Sequence, residues 1–313
     1  MILVLVLVAN VRGLQRTLSP VTRAAPRATI ADLDQISTPS FGATILDDAT
    51  LLKAKILQLA STLDRGQGYN PTSGEQYKDR MARCVRNIEA LIALGNKKEE
   101  VSLERLEGAW ELVFASVKHG IFRSSPFFLA IDEAYRVAGD DPDKAELFFK
   151  LHELQTCSWG VSKIGRVGQT IDPETNMFYS TFDTQIFALT VIPIIGWFKL
   201  LPTFGGCVVT AAKILDLSED GALKLEVDYT TAKPVEGLAG LGDWIWNVKV
   251  PVGAVWRLLP WNRGRPPLCD VKVRFLDDDF RIVQDAGGDY FVYTRPVDDD
   301  DDDDNNFDSS SKV

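Results

Sequence analysis

The sequence is poor in the side chains on which metal sites and most nucleophilic enzymes rely. It has only two histidines, His119 and His152, so a histidine-based metal cluster is not expected. Its four cysteines (Cys84, Cys157, Cys207 and Cys269) stand far apart without a C-x-x-C pair. That spacing excludes a zinc or dithiol redox motif and leaves buried free thiols as the expectation. No G-x-S-x-G nucleophile elbow, no H-E-x-x-H and no G-x-x-x-x-G-K-S/T loop occurs. Residues 160–168, GVSKIGRVG, imitate a glycine-rich loop but lack G-x-G spacing and sit among strand signals. Asp277, Asp278 and Asp279 would point to alternating faces of a strand, so they read as a hairpin rim rather than a metal site. No catalytic residue, metal ligand or cofactor is expected from these patterns.

Positive charge is also scarce. Lys and Arg number 34 against 44 Asp and Glu, a net charge of -10, which argues against a nucleic-acid partner. Much of that acidity is local, because residues 298–304 are an unbroken run of aspartates. Such a block repels itself and reads as a solvated tail, with a weak calcium or basic-partner site as the alternative. Residues 186–201, IFALTVIPIIGWFKLL, are strongly apolar but interrupted by Pro193, Gly196 and Lys199 and too short for a membrane helix.

What is present fits a folded domain. The chain has 313 residues, 45% apolar and 25% charged, enough for one large domain or two small ones. Residues 2–8 form an apolar run too short to span a bilayer. They are followed by RGLQRTLSPVTRAAPRAT, with Arg12, Arg16, Arg23 and Arg27 and no acid before Asp32. A signal-like stretch followed by a transit-like stretch predicts a targeting presequence over 1–31. It suggests two-step import into a complex plastid, as in algae, with secretion as the alternative. A linker over 32–48, a domain over 49–296 and a disordered acidic tail over 297–313 complete the expected organisation.

Two helices are expected before a barrel. One spans about residues 50–64, with Leu52, Ile56, Leu59 and Leu63 on one face, capped by Asp47 or Asp48 and ended by Gly66. The other spans about 75–94, entered through Ser73-x-x-Gln76, with Tyr77, Met81, Val85, Ile88 and Ile92 as its stripe. Each stripe needs a surface to cover, so the pair should pack on the barrel or on each other. Ser125-Pro126 and Asp141-Pro142 predict two more helices. The first should bury Phe128, Ile131 and Tyr135, and the second should present Leu147, Phe148 and Leu151.

Strand signals dominate from residue 155 onward. Leu223, Leu225, Val227 and Tyr229 alternate with charged residues, as do Val271, Val273 and Phe275. Phe291 and Tyr293 should face away from Tyr290 and Val292. With turns at Pro173-Glu174 and Ala286-Gly287-Gly288, this predicts antiparallel strands with one buried face. Closing them would remove sheet edges and could enclose one small ligand.

Two aromatic-rich segments are candidates for contact with lipid. Around Gly196-Trp197-Phe198-Lys199, a loop could dip into a lipid surface, or the segment could be two strands and a turn. Residues 241–268 hold four of the seven tryptophans (Trp244, Trp246, Trp256 and Trp261) beside Arg257, Arg263 and Arg265. They read either as anchors packing a loop or as the rim of an apolar cavity, with the arginines toward headgroups or a ligand carboxylate.

Residues 103–125, LERLEGAWELVFASVKHGIFRSS, contain Gly108-x-Trp110, which resembles the opening motif of lipocalin-like folds. Residues 271–295, VKVRFLDDDFRIVQDAGGDYFVYTR, look like the closing strands of the same barrel. Together with the paired helices, FRSSPFF, the long apolar middle and Thr210-Ala211-Ala212-Lys213, they resemble the plastid lipid-associated proteins, the PAP/fibrillin family. Gln284-Asp285 stands where that family usually continues Arg-Gly. The resemblance implies an α+β fold: an antiparallel lipocalin-like β-barrel preceded and decorated by short α-helices. It implies a plastid protein peripheral to thylakoid or plastoglobule surfaces. Its ligands would be prenylquinones, carotenoids, fatty acids or other lipids, with a biosynthetic enzyme as a further partner. In lipocalin-like barrels the motif tryptophan plugs the closed end beneath a late arginine. That makes Gly108, Trp110 and Arg281 the expected floor, with Arg295 the second candidate, a structural plug that is not expected to touch a ligand. From position, Phe127, Phe128, Trp197, Phe204, Tyr229, Trp244 and Trp246 are the expected ligand contacts.

Three functional classes remain open at this point. One is a non-enzymatic lipid binder. Another is an enzyme on the same barrel acting on a carotenoid or fatty acid, using Asp183 with Tyr179 or Asp228 with Tyr229. The third is a scaffold whose interior is filled by its own side chains, which a small cavity would favour.

Overall fold

A computed structural model describes residues 47–67, 74–95, 101–117, 120–137, 146–150, 162–186, 191–192, 198–199, 204–235, 248–258 and 264–297. The expectations for the presequence, the linker as far as residue 46, the acidic tail, Ser73, Trp197, Trp244 and Trp246 lie outside these residues. So do those for Asp141-Pro142, Leu151 and Trp261.

Eight antiparallel strands close into a barrel. They are β1 (Gly108–Ala115), β2 (Ser162–Asp172), β3 (Met177–Ile186), β6 (Phe204–Leu217), β7 (Ala222–Lys233), β8 (Leu268–Leu276), β9 (Phe280–Asp285) and β10 (Tyr290–Thr294). Each pairs with its neighbour in this order, and β10 returns to β1. Every strand has a partner on each side, although β7 beyond Glu226 and β2 before Gly168 run past the residues paired with β8 and β1. Of the apolar run of residues 186–201, Ile186 is the last residue of β3 and belongs to this sheet. The run's β4 (Val191–Ile192) and β5 (Phe198–Lys199) pair only with each other. Residues 162–168, including Gly165 and Gly168, lie in strand β2, whose pairing with β3 shifts register between Ile164 and Val167.

The interior follows the expected alternation until β-bulges shift it. Leu223, Leu225 and Val227 point inward. Asp228 is then an extra residue, because Ala212 pairs with Val227 and Ala211 with Tyr229. A one-residue slip sends later side chains to the opposite face, so Tyr229 leaves the interior. The same happens between Val273 and Phe275, where Arg274 is the extra residue. Val271 and Val273 stay inside, while Phe275 turns outward and stands against Gly95. Phe291 and Tyr293 face the interior, and Tyr290 and Val292 face out, as the alternation predicts.

The outward faces of β1, β9 and β10 are covered by a helical hairpin. Helix α1 (Asp48–Thr62) starts where the Asp47 carboxylate accepts the Thr50 N–H at 2.8 Å. It leads through a 3-10 turn at Asp64–Gly66 toward α2 (Gly74–Gly95). Ile56, Ala60 and Leu63 pack with Met81, Cys84, Ile88, Leu91 and Ile92 over Phe114, Phe280, Ile282 and Val292. Each large side chain buried this way contributes roughly 1.5–3 kcal/mol. Val85, expected in this stripe, is only half-buried, and Cys84 and Leu91 take the buried positions. Lys53 of α1 binds Asp277 at 2.5 Å and Asp279 at 2.8 Å, which pins the hairpin to the β8–β9 turn.

Between β1 and β2 lie helices that close one side of the interior. They are α4 (Gly120–Arg123), α5 (Pro126–Val137) and the helical residues 146–150, here α6. A further one-turn helix, α3 (Leu103–Leu106), precedes β1, and α7 (Val252–Leu258) lies against β7. Helix α5 buries Phe128 and Ile131 as expected. In α6 it is Phe149 that is buried, while Leu147 is 55% exposed, because Phe149 packs on the Arg123 guanidinium and on Phe128.

Candidate ligand site

The floor of the barrel is built from the start of β1. Ser102 caps α3, and Gly108, at φ +89, turns the chain into the strand. A left-handed φ and the Arg295 side chain beside its Cα together favour glycine there. Trp110 is 1% exposed and donates its indole N–H to the Leu106 carbonyl at 2.9 Å. Arg295 stacks on the ring at 3.8 Å and donates to the carbonyls of Glu107, Ala109, Arg105 and Asp278. Two arginines therefore share Trp110, since Arg281 lies 4.8 Å from the same ring on the inner side. Arg281 makes the expected contact; Arg295 does the stitching.

Arg281 is the unusual group. It is 2% exposed, packed between interior apolar residues and 4.5 Å from the Tyr293 ring. Its guanidinium donates to the Gln169 carboxamide oxygen. Gln169 passes the connection on, donating to the Tyr293 hydroxyl at 2.7 Å and to the Ser124 carbonyl at 3.1 Å. One network thus joins β9, β2, β10 and the helical segment. No described carboxylate pairs with Arg281, and its Nε has no hydrogen-bond partner among the described residues. Burial lowers its pKa to about 10, with Arg295 pulling in the same direction and Tyr293 opposing. The group stays charged at neutral pH. Burial likewise pushes the Tyr293 hydroxyl up to about 12.

Arg281, Gln169, Tyr293 and Ser124 edge a chamber of about 20 Å³. Its other walls are apolar: Pro126 and Leu129 from α5, Phe178, Leu223 and Leu225, Val271 and Val273, Val283 and Phe291. That volume holds about one water molecule.

A second cluster of charges lies beside the β9–β10 turn and the helices. Arg123, 6% exposed, pairs with Glu146 at 2.9 Å and Asp132 at 3.8 Å and lies over the Phe149 ring. Asp132 also pairs with Arg136. Asp285 accepts the Asp289 N–H at 2.9 Å through one oxygen and has no partner for the other among the described residues. Burial, with Asp289 and Asp132 nearby, raises its pKa to about 6. Asp289 is also raised, again chiefly by burial.

The residues chosen from sequence do not converge on the chamber. On α5, Pro126 and Leu129 face it, three apart on one helix face; Phe127 and Phe128 lie round the helix from them. Phe128 packs inside against Phe122 and Phe149, while Phe127 meets Trp256 at 6.3 Å. Tyr229, displaced by the Asp228 bulge, lies beneath Lys249 at 4.4 Å and is a correction to the expected contact set. Phe204 opens β6. Trp197, Trp244 and Trp246 lie outside the described residues. Within the tryptophan-rich segment, Trp256 is an anchor: its helix α7 packs so closely on β7 that Gly253 has no room for a Cβ.

The candidate catalytic pairs are not assembled in the interior. Phe178, Ser180 and Phe182 occupy the buried face of β3, and Tyr179 and Asp183 alternate with them. Asp228 pairs with Lys213 at 3.7 Å on the exposed side. Among the described residues no three His, Cys, Asp or Glu side chains are grouped as metal ligands, and no helix is long and apolar enough to cross a membrane. Gln169, Ser124 and Tyr293 were not singled out as site residues from sequence. For Gln169 and Tyr293 the signal is a polar side chain on an apolar-facing strand position, as in Val167-x-Gln169-x-Ile171 and Phe291-x-Tyr293; Ser124, between α4 and α5, has no such signal.

Comparison of the chain with protein-family models, with curated proteins and with solved structures finds no match. The resemblance to plastid lipid-associated proteins rests on the ordered motifs of the sequence.

Proposed function

We propose that this chain is a lipocalin-like protein that binds a hydrophobic small molecule, without catalysis, and works in a plastid at the surface of thylakoids or plastoglobules. The observation that supports this most is the closed barrel whose floor is sealed by Trp110 and Arg295 and whose chamber is apolar except around Arg281. Such a container presents contact area and a few orienting polar groups, the composition of a small-molecule site. The family resemblance supplies the ligand classes: prenylquinones, carotenoids, fatty acids or other lipids.

A second reading has its own support. The chamber is the size of a single water, and α5 side chains form part of its wall. A barrel filled by its own side chains would serve as a docking scaffold for an enzyme of lipid or quinone synthesis.

The test is to incubate the full chain with a plastid lipid extract, re-purify it and identify bound molecules by mass spectrometry. One unaltered lipid at near-stoichiometric amount supports the binding protein. A chemically altered lipid would favour an enzyme on this barrel, and an empty barrel would favour the scaffold.

A further inference from the structure

The barrel interior holds a positive charge that its described residues do not balance. Buried arginines are ordinarily paired with carboxylates, because an isolated charge loses its hydration. Arg281 has the Trp110 and Tyr293 rings and one neutral carboxamide instead. The nearby Arg295 adds charge of the same sign, and the Nε of Arg281 remains without a partner.

We propose that Arg281 receives the carboxylate of an apolar ligand whose chain lies along the barrel interior. This deepens the lipid-binding reading, on which it rests, by naming the class of lipid. A guanidinium matches a carboxylate with two parallel N–H donors, and the Tyr293 hydroxyl stands within the same network to orient it. The chain of the ligand meets Phe178, Leu225 and Phe291, which carry no polar group to satisfy.

Entry requires α5 to move outward, since Pro126 and Leu129 close the chamber on that side. The Ser124 carbonyl, bound to Gln169, is the polar contact that gives way. Gln169 then has a free donor for the arriving carboxylate. Ligand binding and displacement of the plug are thereby coupled through one side chain.

The test compares oleic acid, methyl oleate and acetate as competitors for a fluorescent fatty acid bound to the full chain. Oleic acid should bind, and its methyl ester about tenfold or more weaker, the loss of a charge-assisted hydrogen bond. Equal binding of acid and ester overturns the assignment of Arg281 while leaving the barrel a lipid binder. If neither binds and the plastid lipid extract also leaves the protein empty, the lipid-binding reading itself fails. Acetate competing as well as oleate would make this a small-anion site and overturn the proposal.

Arg281→Gln should abolish the preference for the acid over the ester. Because that change removes a buried network, Leu129→Ala serves as the second variant, with Arg281 intact. It widens the chamber on the entry side and should tighten oleate binding while preserving the acid preference. Unchanged oleate affinity in Leu129→Ala places the ligand elsewhere and overturns the proposal.

Discussion

The Arg295 guanidinium lies 3.8 Å from the centre of the Trp110 ring and binds backbone carbonyls on both sides of Gly108. It fastens the beginning of the barrel to its end, since Trp110 is the third residue of β1 and Arg295 follows β10. Truncation of Trp110 to alanine should destabilise the fold by about 3–5 kcal/mol, the range for a buried tryptophan. Urea unfolding monitored by circular dichroism checks this, and an unchanged midpoint would refute the floor assignment. Arg295→Lys keeps the charge but loses the planar fork, so it should show a smaller loss in the same assay.

Asp285 carries a pH dependence of defined sign. Its folded pKa is raised to about 6 by burial, above the ordinary 3.8. The folded state therefore holds the proton more tightly, and the contribution of this residue to stability is lost as pH rises through 6. Asp285→Asn mimics the protonated form and keeps an acceptor for the Asp289 N–H. It should match the parent at about pH 4 and exceed it by up to about 3 kcal/mol at pH 8. Paired denaturant curves at the two values decide it; an Asn variant less stable than the parent at pH 8 would contradict the burial argument.

Gly66 occupies a position that no other residue fits. Its φ is +87, and an added Cβ would stand 2.0 Å from the Ala115 carbonyl oxygen. Its own carbonyl accepts the Tyr77 hydroxyl at 2.7 Å, so a shift here also disturbs α2. Gly66→Ala should cost at least about 1–3 kcal/mol from backbone strain, before the clash is counted. Hydrogen exchange should show faster opening of α1 and α2, with β6 and β7 little changed.

Thiol reactivity should separate the cysteines. Burial raises the Cys84 thiol to about 12 and the Cys207 thiol to about 11, and it also raises that of Cys269. Thiolate is the reacting species, so all three should be sluggish at pH 8. Cys84 and Cys269 are buried while Cys207 is half-buried, so of these three only Cys207 should be alkylated before unfolding. Peptide-level mass spectrometry after a timed iodoacetamide pulse reads this directly; early labelling of Cys269 would contradict its placement inside the barrel.

The local rules carried the sequence reading a long way. Helical stripes in α1 and α2, their docking on the barrel, the Gly108-x-Trp110 floor and the alternation of β10 were all legible. Each depends on a periodicity within a few turns or residues. The bulges at Asp228 and Arg274 were not legible, because each is a mismatch between two strands and exists only once their register is set. They moved Tyr229 and Phe275 off the inner face, and with them one expected ligand contact.

The sequence by itself determined antiparallel strands with one buried face and the helices beside them, since alternating strands, capped helices and turn residues each act locally; that the strands close into a barrel is a property of the tertiary structure. Tertiary structure alone decided what the interior contains. Among the described residues Arg281 has no carboxylate partner because of which side chains β2, β9 and β10 bring to the same depth. The chamber is small because α5 turns Pro126 and Leu129 toward it. Burial and charge balance are properties of the assembled neighbourhood, and no single segment of the chain encodes them.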